Sequence, residues 1–118
     1  MKKKALTILK NNDKTYENNI NIIFNNNILL YRENMFSVKL EIKNKKILLT
    51  RESKDIYSKY LFDKKKSNLE YLIKSNNLNT NIPIKTNELI IKDDYILISY
   101  TIENEIFNYE IFIKEDIC

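Results

Sequence analysis

A chain of 118 residues is long enough for one domain with one real core, and its net charge of +4 is modest. It has no glycine, no histidine and one cysteine. That excludes glycine-rich phosphate loops and the dinucleotide fingerprint, the commonest general base and metal ligand, and the usual zinc sites.

No stretch is apolar for long enough to span a bilayer as a helix. The opening "MKKKALTILKNND" lacks the long apolar region and small-residue cleavage site of a secretory signal. A cytoplasmic location is expected, with no membrane partner, and the lone Cys118 agrees because it has no second cysteine to pair with. Its terminal place reads as an incidental thiol. No cofactor is expected, and carboxylate-only chemistry is the one catalytic route left.

Period-two alternation runs along the chain. It predicts about ten strands, near 3–10, 15–24, 28–33, 36–43, 46–53, 55–62, 68–74, 82–92, 95–102 and 105–114. In "FSVKLEIK", Phe36, Val38, Leu40 and Ile42 share one face, while Ser37, Lys39, Glu41 and Lys43 share the other. "KDIYSKYLFDKKKSNLEYLIK" comes nearest to a helix, but its Tyr, Ile and Phe content suits a hairpin better. In "IPIKTNELIIK" the phase slips between Thr86 and Leu89, which a β-bulge near Asn87 would reconcile. Farther on, Ile96, Ile98, Tyr100 and Ile102 form one inward set, and Phe107, Tyr109, Ile111 and Ile113 form another.

Without glycine, asparagine is the natural turn residue, since it tolerates the left-handed conformation and bonds its own backbone. Asparagine clusters mark turns at 11–13, 25–27, 44, 75–81 and 104, and Pro83 suits a strand start or a sheet edge. So many strands in so short a chain leave two bare edges unless the sheet closes. The expected fold is all-β: a single antiparallel up-and-down barrel of about 8–10 strands, with few or no helices, over 1–118.

The chain has eighteen lysines and two arginines, so the position of each arginine is informative. If Asn44 and Lys45 form a two-residue hairpin loop, Lys43 faces Lys46, Leu40 faces Leu49, and Val38 faces Arg51. Arg51 then lies on the apolar face near a strand end. A buried cation needs partners, and a planar guanidinium with five donors is better equipped for that than an ammonium. Glu33, Asp55 or backbone carbonyls are its candidate acceptors, and Arg51 is read as closing one end of the barrel.

From about Tyr31 to Lys114 the order of features resembles the YwiB-like family, small bacterial proteins of unknown function with a calycin-type (lipocalin-like) β-barrel. The residues that carry the resemblance are "LLYREN" at 29–34, "VKLEIKNKKILLTRES" at 38–53, "SKYLFDKKKSNLEYLIKSNNL" at 58–78, and the segment 82–114. Arg51 takes the place of the family's arginine after an apolar strand, and Tyr71, Thr86 with Leu89, and Tyr100 match further positions. Ser53 and Asn76 or Asn77 stand where the family commonly has glycine. The resemblance implies a barrel and no reaction. Calycin relatives often bind small hydrophobic molecules inside it, which applies here by analogy.

The leading functional expectation is a non-enzymatic barrel that binds a small apolar or amphipathic ligand in its interior. Its candidate lining is Phe36, Arg51, Tyr60, Tyr71, Tyr100, Phe107 and Tyr109, apolar bodies with polar handles. The competing structural reading is that these rings simply fill the barrel. The alternative function is a protein- or RNA-interaction module. It would use a basic rim built from lysines at 2–4, 43–46 and 64–66, partly cancelled by Asp93, Asp94, Glu115 and Asp116. Outward Tyr57 and Tyr95 would be its stacking platforms, though no RNP motif accompanies them and a nucleic-acid partner is the lesser expectation. Third comes a catalytic trio of Glu33, Arg51 and Tyr100 at a barrel mouth.

Overall fold

Alternating apolar residues, punctuated by asparagine turns, fold into ten consecutive antiparallel strands. The computed structural model describes residues 2–116. The strands are β1 (Lys2–Asn11), β2 (Lys14–Asn25), β3 (Ile28–Glu33), β4 (Phe36–Lys43), β5 (Lys46–Glu52), β6 (Ile56–Phe62), β7 (Ser67–Ile73), β8 (Leu78–Ile91), β9 (Tyr95–Ile102) and β10 (Glu105–Asp116). Each pairs with its sequence neighbour, and β10 returns to β1, so the sheet closes into a barrel. The only helical element among the described residues is one 3-10 turn at Lys74–Asn76. Cys118 lies outside the described residues.

Turn chemistry explains how the hairpins form without glycine. Asn12, Asn26, Asn34, Asn44, Asn77 and Asn104 all have left-handed φ values between 51° and 71°. Asn44 and Lys45 (φ 51° and 64°) join β4 to β5 with positive φ at both central positions, as a type I′ turn requires. The expected register follows: Lys43 opposite Lys46, Leu40 opposite Leu49, and Val38 opposite Arg51. The β8–β9 register shifts between Thr86 and Glu88, so Asn87 is the bulge that the phase slip implied.

Residues 75–81 do not all form a turn. β8 begins at Leu78, and Asn79, Thr80 and Asn81 pair with Leu72, Tyr71 and Glu70 of β7. Their polarity is consistent with their exposure, and the ladder to β7 holds them extended. Pro83 lies inside β8, but pairing with β9 starts only at Lys85. The proline therefore sits where β8 is still a local edge, and its missing N–H leaves the β8–β9 ladder intact.

The inward faces pack into one core, with Ile22, Leu29, Leu40, Ile47, Phe62, Ile96, Ile98 and Ile111 fully buried. Each such side chain contributes roughly 1.5–3 kcal/mol relative to exposure. Closure is uneven. β2 pairs with β1 from Lys14 to Ile23, yet with β3 only at Ile23–Leu30, Phe24–Leu29 and Asn25–Ile28. Beyond Leu30 the two strands part, leaving a seam between β2 residues 14–22 and β3 residues 31–33.

Because successive strands reverse, the turns at 12–13, 34–35, 53–55, 74–77 and 103–104 share one end of the barrel. The turns at 26–27, 44–45, 63–66 and 92–94 share the other, with the start of β1.

Candidate functional site

The seam brings a buried carboxylate into play. Leu29, Tyr31 and Glu33 share the inward phase of β3, and all three are buried. Glu33 Oε2 accepts hydrogen bonds from the Thr7 hydroxyl at 2.5 Å and the Tyr109 hydroxyl at 3.0 Å. Tyr31 and Tyr109 hydroxyl oxygens lie 2.7 Å apart. A phenol has one hydrogen. With that of Tyr109 directed to Glu33, Tyr31 donates to Tyr109. Glu33 Oε1 faces Arg51 Nη2 at 3.6 Å.

Glu33 is therefore the ion-pair partner of Arg51, one of the partners its sequence position allowed. The contact is long for a charge-assisted bond, which ordinarily spans about 2.7–2.9 Å. The guanidinium lies over the Phe36 ring, 4.5 Å from its centroid, and uses its flat face there. Its Nε is buried and has no hydrogen-bond partner among the described residues. The arginine sits where it was expected, with part of its donor capacity unused.

Next to this cluster lies a cavity of about 240 Å³, lined by Leu9, Leu49, Phe62 and Ile98 on its apolar wall and by Glu33, Arg51, Tyr60, Tyr100 and Tyr109 among its polar groups. Exposed Tyr16 and Asn34 stand at its mouth, on either side of the seam and toward the 12–13 and 34–35 end. Burial holds the phenols of Tyr31, Tyr100 and Tyr109 well above their usual value. Tyr60 is also raised, chiefly by burial, with the nearby Arg51 charge opposing. These hydroxyls remain protonated donors at neutral pH. Among the described residues, the Tyr100 hydroxyl has no hydrogen-bond partner.

Of the residues singled out from sequence, Arg51, Tyr60, Tyr100 and Tyr109 line this cavity. Phe36 supports Arg51, and Phe107 stacks on Tyr100 at 5.3 Å with 12° between planes. Tyr71, half-buried on β7 opposite Ser58, is not part of the lining. Thr7, Tyr31, Tyr16 and Asn18 escaped sequence reasoning. The inward phases of Ala5–Thr7–Leu9, Leu29–Tyr31–Glu33 and Ile20–Ile22–Phe24 were the signals that place them.

Glu33, Arg51 and Tyr100, the catalytic trio considered above, also meet at this cavity. No group of three or more His, Cys, Asp or Glu among the described residues is placed to hold a metal ion. No helix among them is long and apolar enough to cross a membrane. The lysines of 43–46 and 64–66 lie at the opposite end, where Lys46 pairs with Asp63 at 3.4 Å. Outside the barrel, Tyr95 donates to Glu110 at 2.6 Å and its ring packs on Phe112.

No family model matches the chain, and no curated protein matches it. Among solved structures, the crystal structure of ywiB protein from Bacillus subtilis is similar, with a TM-score of 0.66 over 98% of this chain and 91% of that chain, at 8% sequence identity. At that identity the likeness is one of fold. This chain shares the closed antiparallel barrel of that ywiB protein, the same barrel type that its strand pattern and arginine position resemble.

Proposed function

We propose that the chain is a non-enzymatic barrel that takes a small amphipathic molecule into the cavity beside Glu33 and Arg51. The observation that carries this reading is the cavity of about 240 Å³, with its apolar wall and the Glu33, Arg51, Tyr60, Tyr100 and Tyr109 side chains converging on it. That volume is below the roughly 300 Å³ at which small-molecule pockets usually begin, but an apolar cavity of roughly 150 Å³ already admits benzene, so the space suits a ligand only somewhat larger than that. In this reading Arg51, Tyr60, Tyr100 and Tyr109 touch the ligand, while Phe36 and Phe107 hold Arg51 and Tyr100 in place. Tyr71 has a supporting role beside Tyr60. Apolar walls with a few convergent polar groups are the usual make-up of such sites.

The basic rim has less to support it. Its lysines share their end with Asp63, Asp93 and Asp94.

The test is native mass spectrometry of protein purified from its own host, followed by organic extraction. A near-stoichiometric small molecule is expected, and displacing it should perturb Leu49 and Ile98. A clean apo mass, together with lumen resonances unmoved by any of a library of small amphipathic compounds, would overturn the reading.

A further inference from the structure

We infer that the ligand is a small monocarboxylic acid, bound as its anion, with Arg51 and Tyr100 holding the carboxylate and the apolar wall holding its body. This rests on the lumen being a ligand site and adds the ligand's chemistry.

The argument is a balance of donors against acceptors. Both Glu33 oxygens are engaged, Oε2 by Thr7 and Tyr109 and Oε1 by Arg51. Two residues on the cavity wall keep donor capacity that no protein acceptor uses: the Arg51 guanidinium, whose Nε–H is itself buried beneath the wall, and Tyr100, whose hydroxyl has no protein partner among the described residues. A cavity wall that presents a guanidinium and a phenol as donors favours a ligand that brings an acceptor. Tyr100 stays a donor because burial, first of all, opposes its ionisation.

Charge narrows the class. Arg51 has one counter-charge, which stands 3.6 Å away while sharing itself with two closer hydroxyls. The guanidinium therefore keeps attraction for a further anion in a site of low dielectric. A phosphate dianion would need more than this one cation. The lysine clusters at 43–46 and 64–66 lie at the opposite end of the barrel. A cationic ligand would find Glu33 already occupied. A carboxylate carries a single charge, and its planar pair of oxygens suits a guanidinium. Leu9, Leu49, Phe62 and Ile98 then offer an apolar wall to a short aliphatic or aromatic body.

The test titrates the full chain, near neutral pH and at matched ionic strength, with benzoate and hexanoate and with their neutral counterparts benzamide and 1-hexanol. Binding is read from the NMR methyl resonances of Leu9, Leu49 and Ile98. Both acids should saturate these shifts and bind about tenfold or more tightly than the neutral compounds, as expected for hydrogen bonds to a charged group. Arg51→Gln should abolish the preference, and Tyr100→Phe should weaken the acids by roughly threefold to tenfold. Neutral compounds binding in the lumen as tightly as the acids would overturn the carboxylate assignment and leave the ligand site standing. Lumen resonances unmoved by all four would remove both. If Arg51→Gln does not fold, the acid-against-neutral comparison in the unaltered chain and the Tyr100→Phe arm still decide.

Discussion

Tyr109 donates its hydroxyl hydrogen to Glu33 at 3.0 Å and so ties β10 to β3 across the lumen, past β1 and β2, which lie between them in the sheet. Thr7 of β1 makes a second tie to the same oxygen, and Tyr31 makes a third through Tyr109. All three start from β3 residues 31–33, the stretch whose ladder to β2 has lapsed. A polar clasp inside the barrel thus replaces backbone pairing at the seam.

Within this clasp the tyrosines are not equivalent. Tyr109→Phe removes one bond to a carboxylate and another to Tyr31, and leaves both partners buried. It should cost about 1–3 kcal/mol in urea denaturation, the range for stranding a buried polar group. Tyr31→Phe removes a single neutral bond, so its cost should be smaller, nearer 1 kcal/mol. Equal effects, or a larger loss from Tyr31→Phe, would mean that the Glu33 bond contributes little.

The same burial makes stability depend on alkaline pH. In the folded chain Tyr31, Tyr100 and Tyr109 are held above their usual value, first by desolvation. An unfolded tyrosine loses its proton near pH 10. Above that pH the unfolded state binds fewer protons than the native state, so stability falls as pH rises. Their stabilisation is fully present below about pH 10 and is lost as pH climbs toward the raised folded values. Phenolate absorbance at 295 nm should therefore stop short of the eight tyrosines of the chain until circular dichroism reports unfolding, and then complete in the same step. Smooth titration of all eight before unfolding would contradict the buried placement.

Much of this architecture was legible because a strand's phase and a hairpin's loop length are local properties. Two residues between Lys43 and Lys46 set every pair up to Val38 opposite Arg51, and the slip after Thr86 located the bulge. The start of β8 was not legible. Asn79, Thr80 and Asn81 read as a loop by composition, and only pairing with β7 makes them strand. Nor was the seam, since alternation fixes which face a side chain takes and not how far a neighbouring strand follows. Glu33 appeared in the sequence only as one acceptor for Arg51 and as a member of the catalytic trio. Its bonds to Thr7 and Tyr109 join residues 26 and 76 positions apart, beyond any local pattern.

Turn strain gives a stabilising variant. Lys45 has φ 64° at the second central position of the β4–β5 turn, where it lacks the local side-chain bonding open to asparagine. Left-handed backbone costs such a residue roughly 1–2 kcal/mol, while a glycine adds about 0.5–1 kcal/mol of unfolded-chain entropy. Strain relief outweighs that entropy. Lys45→Gly, which makes the preferred Asn-Gly pair, should raise stability by about 0.5–1 kcal/mol. Lys65→Gly, at a position without positive φ, should give no gain. A loss at Lys45→Gly would show that the lysine side chain contributes more than the backbone costs.

The seam itself should appear in amide exchange. Successive N–H groups of a strand point to opposite sides, so half of those in β2 residues 15–22 face β1 and are paired, while the other half face β3 beyond the end of its ladder. Backbone groups without partners exchange without any opening of the fold. Protection along 15–22 should therefore alternate with period two. In β4 residues 37–41, which pair with β3 on one side and β5 on the other, protection should be continuous. Tyr109→Phe sharpens the test. If the clasp holds β3 to β1 and β10 in place of a ladder, its loss should speed exchange at residues 31–33 by more than the fall in global stability accounts for. Continuous protection across 15–22, or a Tyr109→Phe effect spread evenly over the barrel, would mean that backbone pairing closes the seam and the clasp does not.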